Sequence, residues 1–176
     1  AGNQLLLCGI VVVLFTGGLA LGSLTRPGLF AIGALVIAIG AIVALSVPWS
    51  QVPPGWVALV PVGDIAAITV LRVAEPTSGV GLLWAFPAMW LASLGRWGLV
   101  TGCALIPTLY WVVVALTPSA SFSFSTLLLP IVIVAISSAG YSSAQRFAAQ
   151  RELLDAQAAR LAFARAAAVR QEQLVS

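Results

Sequence analysis

Asp64 is the residue whose type and position first suggest chemistry. It is a carboxylate inside an otherwise apolar stretch, Val57–Leu71. An ionisable group held away from water binds a cation, relays a proton, reports a ligand, or is satisfied by neighbouring polar groups. The hydroxyl-bearing residues of the apolar stretches, Thr69, Thr108, Tyr110 and Ser137, are its candidate partners. Pro61 and Gly63, just before it, predict a local break in the helix, and such breaks line cavities in membrane proteins.

A second group is aromatic. Trp84, Pro87, Met89 and Trp90 fall along the fourth apolar stretch, with Trp97 in the turn just after it. Trp84 and Trp90 do not share one helical face. They read as an interfacial belt with core packing, or, with Asp64 and Tyr110, as the wall of a site for a small apolar or aromatic ligand.

The third feature lies in the tail. Phe147, Leu154, Leu161, Ala168 and Val175 recur every seven residues. That period keeps one seam turned toward a partner helix. Neither second seam is apolar: one offset reads Arg151, Ala158, Arg165, Glu172, the other Gln150, Gln157, Ala164, Gln171. A helix pair of this kind is weak alone and suits a joint that shifts during signalling. The competing reading is a solvated or interfacial amphipathic helix.

The elements that must position these residues are membrane spans. A crossing helix needs about 20 apolar residues. The sequence predicts six: Gln4–Leu24, Leu29–Val47, Val57–Leu71, Val80–Leu94, Gly98–Leu116 and Phe122–Tyr141. Thr25–Gly28, the Pro-rich Pro48–Trp56 loop, Glu75–Gly79, Gly95–Trp97 and Thr117–Ser121 punctuate them. Five spans are the alternative, with the short, Pro-interrupted third segment re-entrant. Small residues four apart, at Gly18/Gly22, Ala34/Ala38, Gly40/Ala44 and Gly98/Gly102, let helices approach closely in lipid.

Composition agrees. Of 176 residues, 61% are hydrophobic and 7% charged, and mean hydropathy is +1.09, against about 25% charged residues in soluble domains. The basic residues are all Arg, and five of the eight lie in the tail. The domains expected are 1–144, a six-span sensor and dimerisation bundle, and 145–176, a cytoplasmic signalling helix. By the excess of Arg near inner loops, the tail is cytoplasmic, and an even number of spans puts the amino terminus there too. Arg96 agrees; Arg26 and Arg72 fall outside. The opening without Met and the stop in mid-helix suggest a piece of a longer protein with an output domain beyond Ser176.

The lack of His removes His-based haem, zinc and general-base chemistry. Cys8 and Cys103 sit in apolar runs and read as small hydrophobes. No Gly-rich phosphate loop, metal cluster or basic nucleic-acid patch is present, so no catalytic residue, metal or cofactor and no nucleic-acid partner is assigned.

The order of the Trp49–Pro53 loop, Pro61–Ile68 with Leu71-Arg72, Leu82–Ala92 and the Gln145–Ser176 helix resembles the amino-terminal membrane sensor region of actinobacterial sensor histidine kinases and of related diguanylate cyclase-type proteins. The resemblance implies a homodimeric sensor in the bacterial cytoplasmic membrane. No catalytic residue transfers, because the kinase core lies outside the matching stretch. A small transporter or channel subunit using Asp64 is the rival class.

Orientation is checked by thiol labelling after Cys8 and Cys103 are replaced. Ser78→Cys and Ser119→Cys should react with an impermeant reagent from outside, and Ser176→Cys only from the cytoplasmic side. External labelling of Ser176→Cys rejects the orientation.

Overall fold

A computed structural model describes the backbone of residues 2–76, 79–117 and 124–175, and side chains within those ranges except at 50, 54, 124–127 and 162–175. Every regular element described is helical. The helices are α1 (Gly2–Ala20), α2 (Pro27–Ser46), α3 (Pro54–Val57), α4 (Leu59–Ala74), α5 (Ala85–Ser93), α6 (Arg96–Leu116) and α7 (Phe124–Val175). Short 3-10 segments cover Trp49–Gln51 and Gly79–Trp84. The chain divides into two units, Ala1–Tyr141 and Ser142–Ser176. α7 supplies residues to both.

Among the described residues, five stretches are long and apolar enough to cross a membrane: Gly2–Ala20, Pro27–Ser46, Gly55–Ala74, Arg96–Leu116 and Leu128–Leu161. The third predicted span, suspected of being short, thus reaches 20 residues. The short one is the fourth, Gly79–Ser93. Its cause is local. Pro87 has no N–H to offer Leu83, which removes one α-helical bond and favours a change of winding just ahead of it, although Pro107 and Pro130 are carried inside α6 and α7. The chain winds instead as a 3-10 helix to Trp84 and then as nine residues of α5. Gly95, at φ +116°, closes the segment in a conformation that only glycine adopts easily. The break near Asp64 is likewise displaced. Pro61 cannot donate to Val57, and the chain interrupts at Ala58, between α3 and α4, leaving Asp64 inside regular helix. Phe122 and Ser123, at the start of the sixth predicted span, lie outside the described residues.

The first unit has two ends, recognised by which residues meet. At one, the carboxylate of Glu75, after α4, accepts hydrogen bonds from the backbone N–H of Thr25 and from its hydroxyl at 3.1 Å. Val80 lines a cleft there with Gly18, Leu24 and Phe30. At the other, Gly2 and Asn3 of α1 share a cleft with Trp90 and Ser93 of α5. The Gly79–Ser93 segment therefore runs from the Glu75 end to the Gly2 end. α7 follows the same direction, since Leu129 touches Gly81 and Met89 touches Gly140.

The core is the α2–α4 contact. Phe30, Gly33, Ile37, Ala41 and Ala44 form the buried face of α2. A Cβ at Gly33 would stand 2.7 Å from Leu71 Cδ2 and 3.0 Å from the Ala67 carbonyl oxygen. At the α5–α6 turn, a Cβ at Gly98 would collide with the Leu91 carbonyl oxygen, and Gly102 rests on Ala88. The small-residue pairs Gly40/Ala44 and Gly98/Gly102 thus lie at helix contacts.

Gly33→Ala should destabilise the protein by about 1–3 kcal/mol, the usual cost of overpacking a filled contact. Gly9→Ala, where a Cβ meets nothing within 4 Å, should be neutral or stabilising. Thermal unfolding in detergent compares the two; equal effects would deny the tight α2–α4 approach.

Candidate functional site

Asp64 lies on the buried face of α4 and is 2% exposed. Its partner is an amide. Gln4 Nε2 on α1 donates to Asp64 Oδ1 at 2.8 Å, and Gln4 is 1% exposed. None of the expected hydroxyls takes this role. Thr69, Thr108 and Ser137 each donate to the carbonyl four residues earlier, at Ile65, Ala104 and Ile133. Within a helix that carbonyl is the nearest acceptor. Gln4 stands near the start of an apolar run, where a polar residue reads as interfacial. The signal that singles it out is helix arithmetic: α1 and α4 both start at the Gly2 end, so early residues of each share a level.

Gly40 on α2 completes the arrangement. A Cβ there would lie 3.1 Å from Gln4 Nε2 and 3.3 Å from Asp64 Oδ1. Three helices thus converge on one buried polar pair, and α2 contributes a bare backbone. Asp64 Oδ2 is buried and has no hydrogen-bond partner among the described residues. Beside it, Asp64 lines a cleft of about 240 Å³ between α2 and α4, walled by Val36, Ile39, Val43, Leu59 and Val60. Val36, Ile39, Val43 and Leu59 are exposed, so the cleft opens on the outer surface of the bundle.

The other ligand candidates do not gather around Asp64. Trp84 is fully buried and its indole N–H donates to the Ile65 carbonyl at 3.2 Å. Tyr110 meets it edge-on at 6.3 Å. Together they are packed core, leaving no free aromatic wall. Trp90 is separate, half-buried at the Gly2 end. Arg72, near the end of α4, turns inward. Its guanidinium lies 5.0 Å from the centre of the Tyr110 ring, a cation–π contact, and Nη1 presses on Gly81. Glu75, read as part of a polar turn, is buried and clasps Thr25.

In the second unit, every described side chain from Gln145 to Leu161 is exposed, including Phe147, Leu154 and Leu161. The side chains of Ala168 and Val175 lie outside those described.

No protein-family model matches the chain, and neither the curated proteins nor the solved structures compared with it give a match.

The Gln4–Asp64 bond is tested by a double-mutant cycle. Gln4→Leu and Asp64→Leu should each destabilise by about 1–3 kcal/mol, because each strands a buried polar group. The double variant should recover most of the loss. Additive losses would mean that the two side chains are not coupled.

Proposed function

We propose that this chain is the membrane-embedded sensory and dimerisation module of a bacterial signalling protein, crossing the cytoplasmic membrane six times with both ends inside. The observation that carries the reading is the helix α7. It passes from the apolar residues of the bundle into a charged stretch whose leucines have no cover. Phe147, Leu154 and Leu161 are each at least 60% exposed in the single chain and stand seven residues apart. A second copy, parallel and in register, buries that seam on itself.

Six crossings rest on the course of Gly79–Ser93. At about 2.0 Å per residue for its 3-10 part and 1.5 Å for α5, it extends roughly 25 Å, slightly short of a hydrocarbon core of about 30 Å. Its two ends lie at opposite ends of α1. Arg96 and the start of the Arg-bearing tail then fall on one side, with Trp49, Trp56 and Trp97 as the aromatic girdle of that side. Repacking within the bundle shifts α7, and the paired tails carry that shift to an output domain.

Disulfide crosslinking in membranes tests the seam. Leu154→Cys and Leu161→Cys should crosslink between protomers several-fold more readily than Gln157→Cys or Arg160→Cys. Equal crosslinking at all four positions, or none, rejects the paired helix.

A further inference from the structure

The cleft beside Asp64 has a specific chemistry. Its walls are aliphatic, and its polar feature is a carboxyl whose oxygens are unequal. Oδ1 accepts the Gln4 amide, while Oδ2 has no partner among the described residues. Gly40 and Gly63 line the cleft beside Asp64, and Oδ2 lies just under its wall, closed to solvent, so a ligand reaches it by a small turn of the Asp64 side chain. The mouth lies among exposed aliphatic residues of α2 and α4, so entry is lateral, from the acyl-chain region.

These features select among ligands. A metal cation needs about six or more oxygen ligands, and a valine- and isoleucine-walled cleft supplies almost none. An ammonium brings three donors to one free acceptor, stranding the other two in an apolar setting. A hydroxyl brings one donor to one acceptor. The volume agrees: apolar cavities of about 150 Å³ admit benzene, and this one, at about 240 Å³, admits a ring with a short chain.

We infer that the α2–α4 cleft is a binding site for an apolar alcohol or phenol, entering from the bilayer and donating its O–H to Asp64 Oδ2. Gln4 is the positioning residue: by engaging Oδ1 it holds Oδ2 for the ligand. The site stands on the bundle alone and does not rest on the dimerising tail.

The test uses the full chain in lipid nanodiscs and saturation-transfer NMR with two probes, 4-propylphenol and its methyl ether, 4-propylanisole. They share an apolar body, and only the phenol donates. The phenol should bind saturably, roughly tenfold or more tighter than the ether, the usual scale of a hydrogen bond to a charged group. Asp64→Asn keeps an oxygen for Gln4 but puts an amide N–H₂ donor in place of Oδ2. It should bring the two affinities to within about twofold, because phenol and ether oxygens both accept from an amide. Gly63→Leu places a side chain where a Cβ meets nothing within 4 Å, improves helix propensity, and should abolish binding with the melting temperature held. Equal binding of phenol and ether to the native chain would mean that the cleft takes acyl chains by shape alone. That result overturns the inference, as would absence of saturable phenol binding, a phenol preference that survives Asp64→Asn, or binding that survives Gly63→Leu in folded protein.

Discussion

In lipid, apolar side chains gain nothing by leaving their solvent, so helices hold together by close packing and by polar groups that find partners inside the protein. In this bundle both conditions meet on the α2–α4 contact. Gly33 lets the helix backbones approach around Leu71, and Gly40 leaves room for the Gln4–Asp64 hydrogen bond from α1. α4 also receives Trp84, whose indole N–H reaches the carbonyl next to Asp64 in sequence. α4 is therefore the central post. It carries the buried carboxylate, the inward Arg72 and, just past its end, the Glu75 clasp.

The charged residues on and just past α4 fall at two levels. Near the Gly2 end lie Gln4 and Asp64; near the other end lie Arg72, Tyr110 and the Thr25–Glu75 clasp. Between them α4 buries the aliphatic side chains of Ile65, Ile68 and Leu71, with the Trp84 indole on the Ile65 carbonyl. Arg72 and Asp64 are eight residues apart on one helix, about 12 Å at 1.5 Å per residue, too far for an ion pair. Each is stabilised separately, the guanidinium by an aromatic face and the carboxyl by an amide.

The apolar stretches were legible because about 20 uncharged residues have few structural readings. Most element ends moved by a few residues for reasons that local geometry supplies, as at Ala58, where Pro61 leaves Val57 without a donor. The fourth stretch was harder. Hydropathy sees Val80–Leu94 as one run, whereas its first part, up to Trp84, winds as 3-10 helix. Asp64 stood out because charge is rare in such a run, but its partner did not. Sixty residues separate Gln4 from Asp64, and no periodicity links positions on different helices. The expected hydroxyls failed on a general ground: a helical Ser or Thr has its own i−4 carbonyl within reach. Among the aromatic residues, only burial separates core Trp84 from peripheral Trp90.

The two long-range clasps have a consequence for biosynthesis. Gln4 waits for Asp64, and Thr25 waits for Glu75, fifty residues later. At roughly 5–20 residues per second of translation, the α1–α2 hairpin exists for seconds before either partner has been made. During that interval its Gln4 amide has no carboxylate and its turn has no anchor. The arrival of α4 satisfies both at once, at opposite ends of the hairpin. Assembly is thus ordered by the ribosome: a hairpin that inserts early and loosely, then a third helix that locks it.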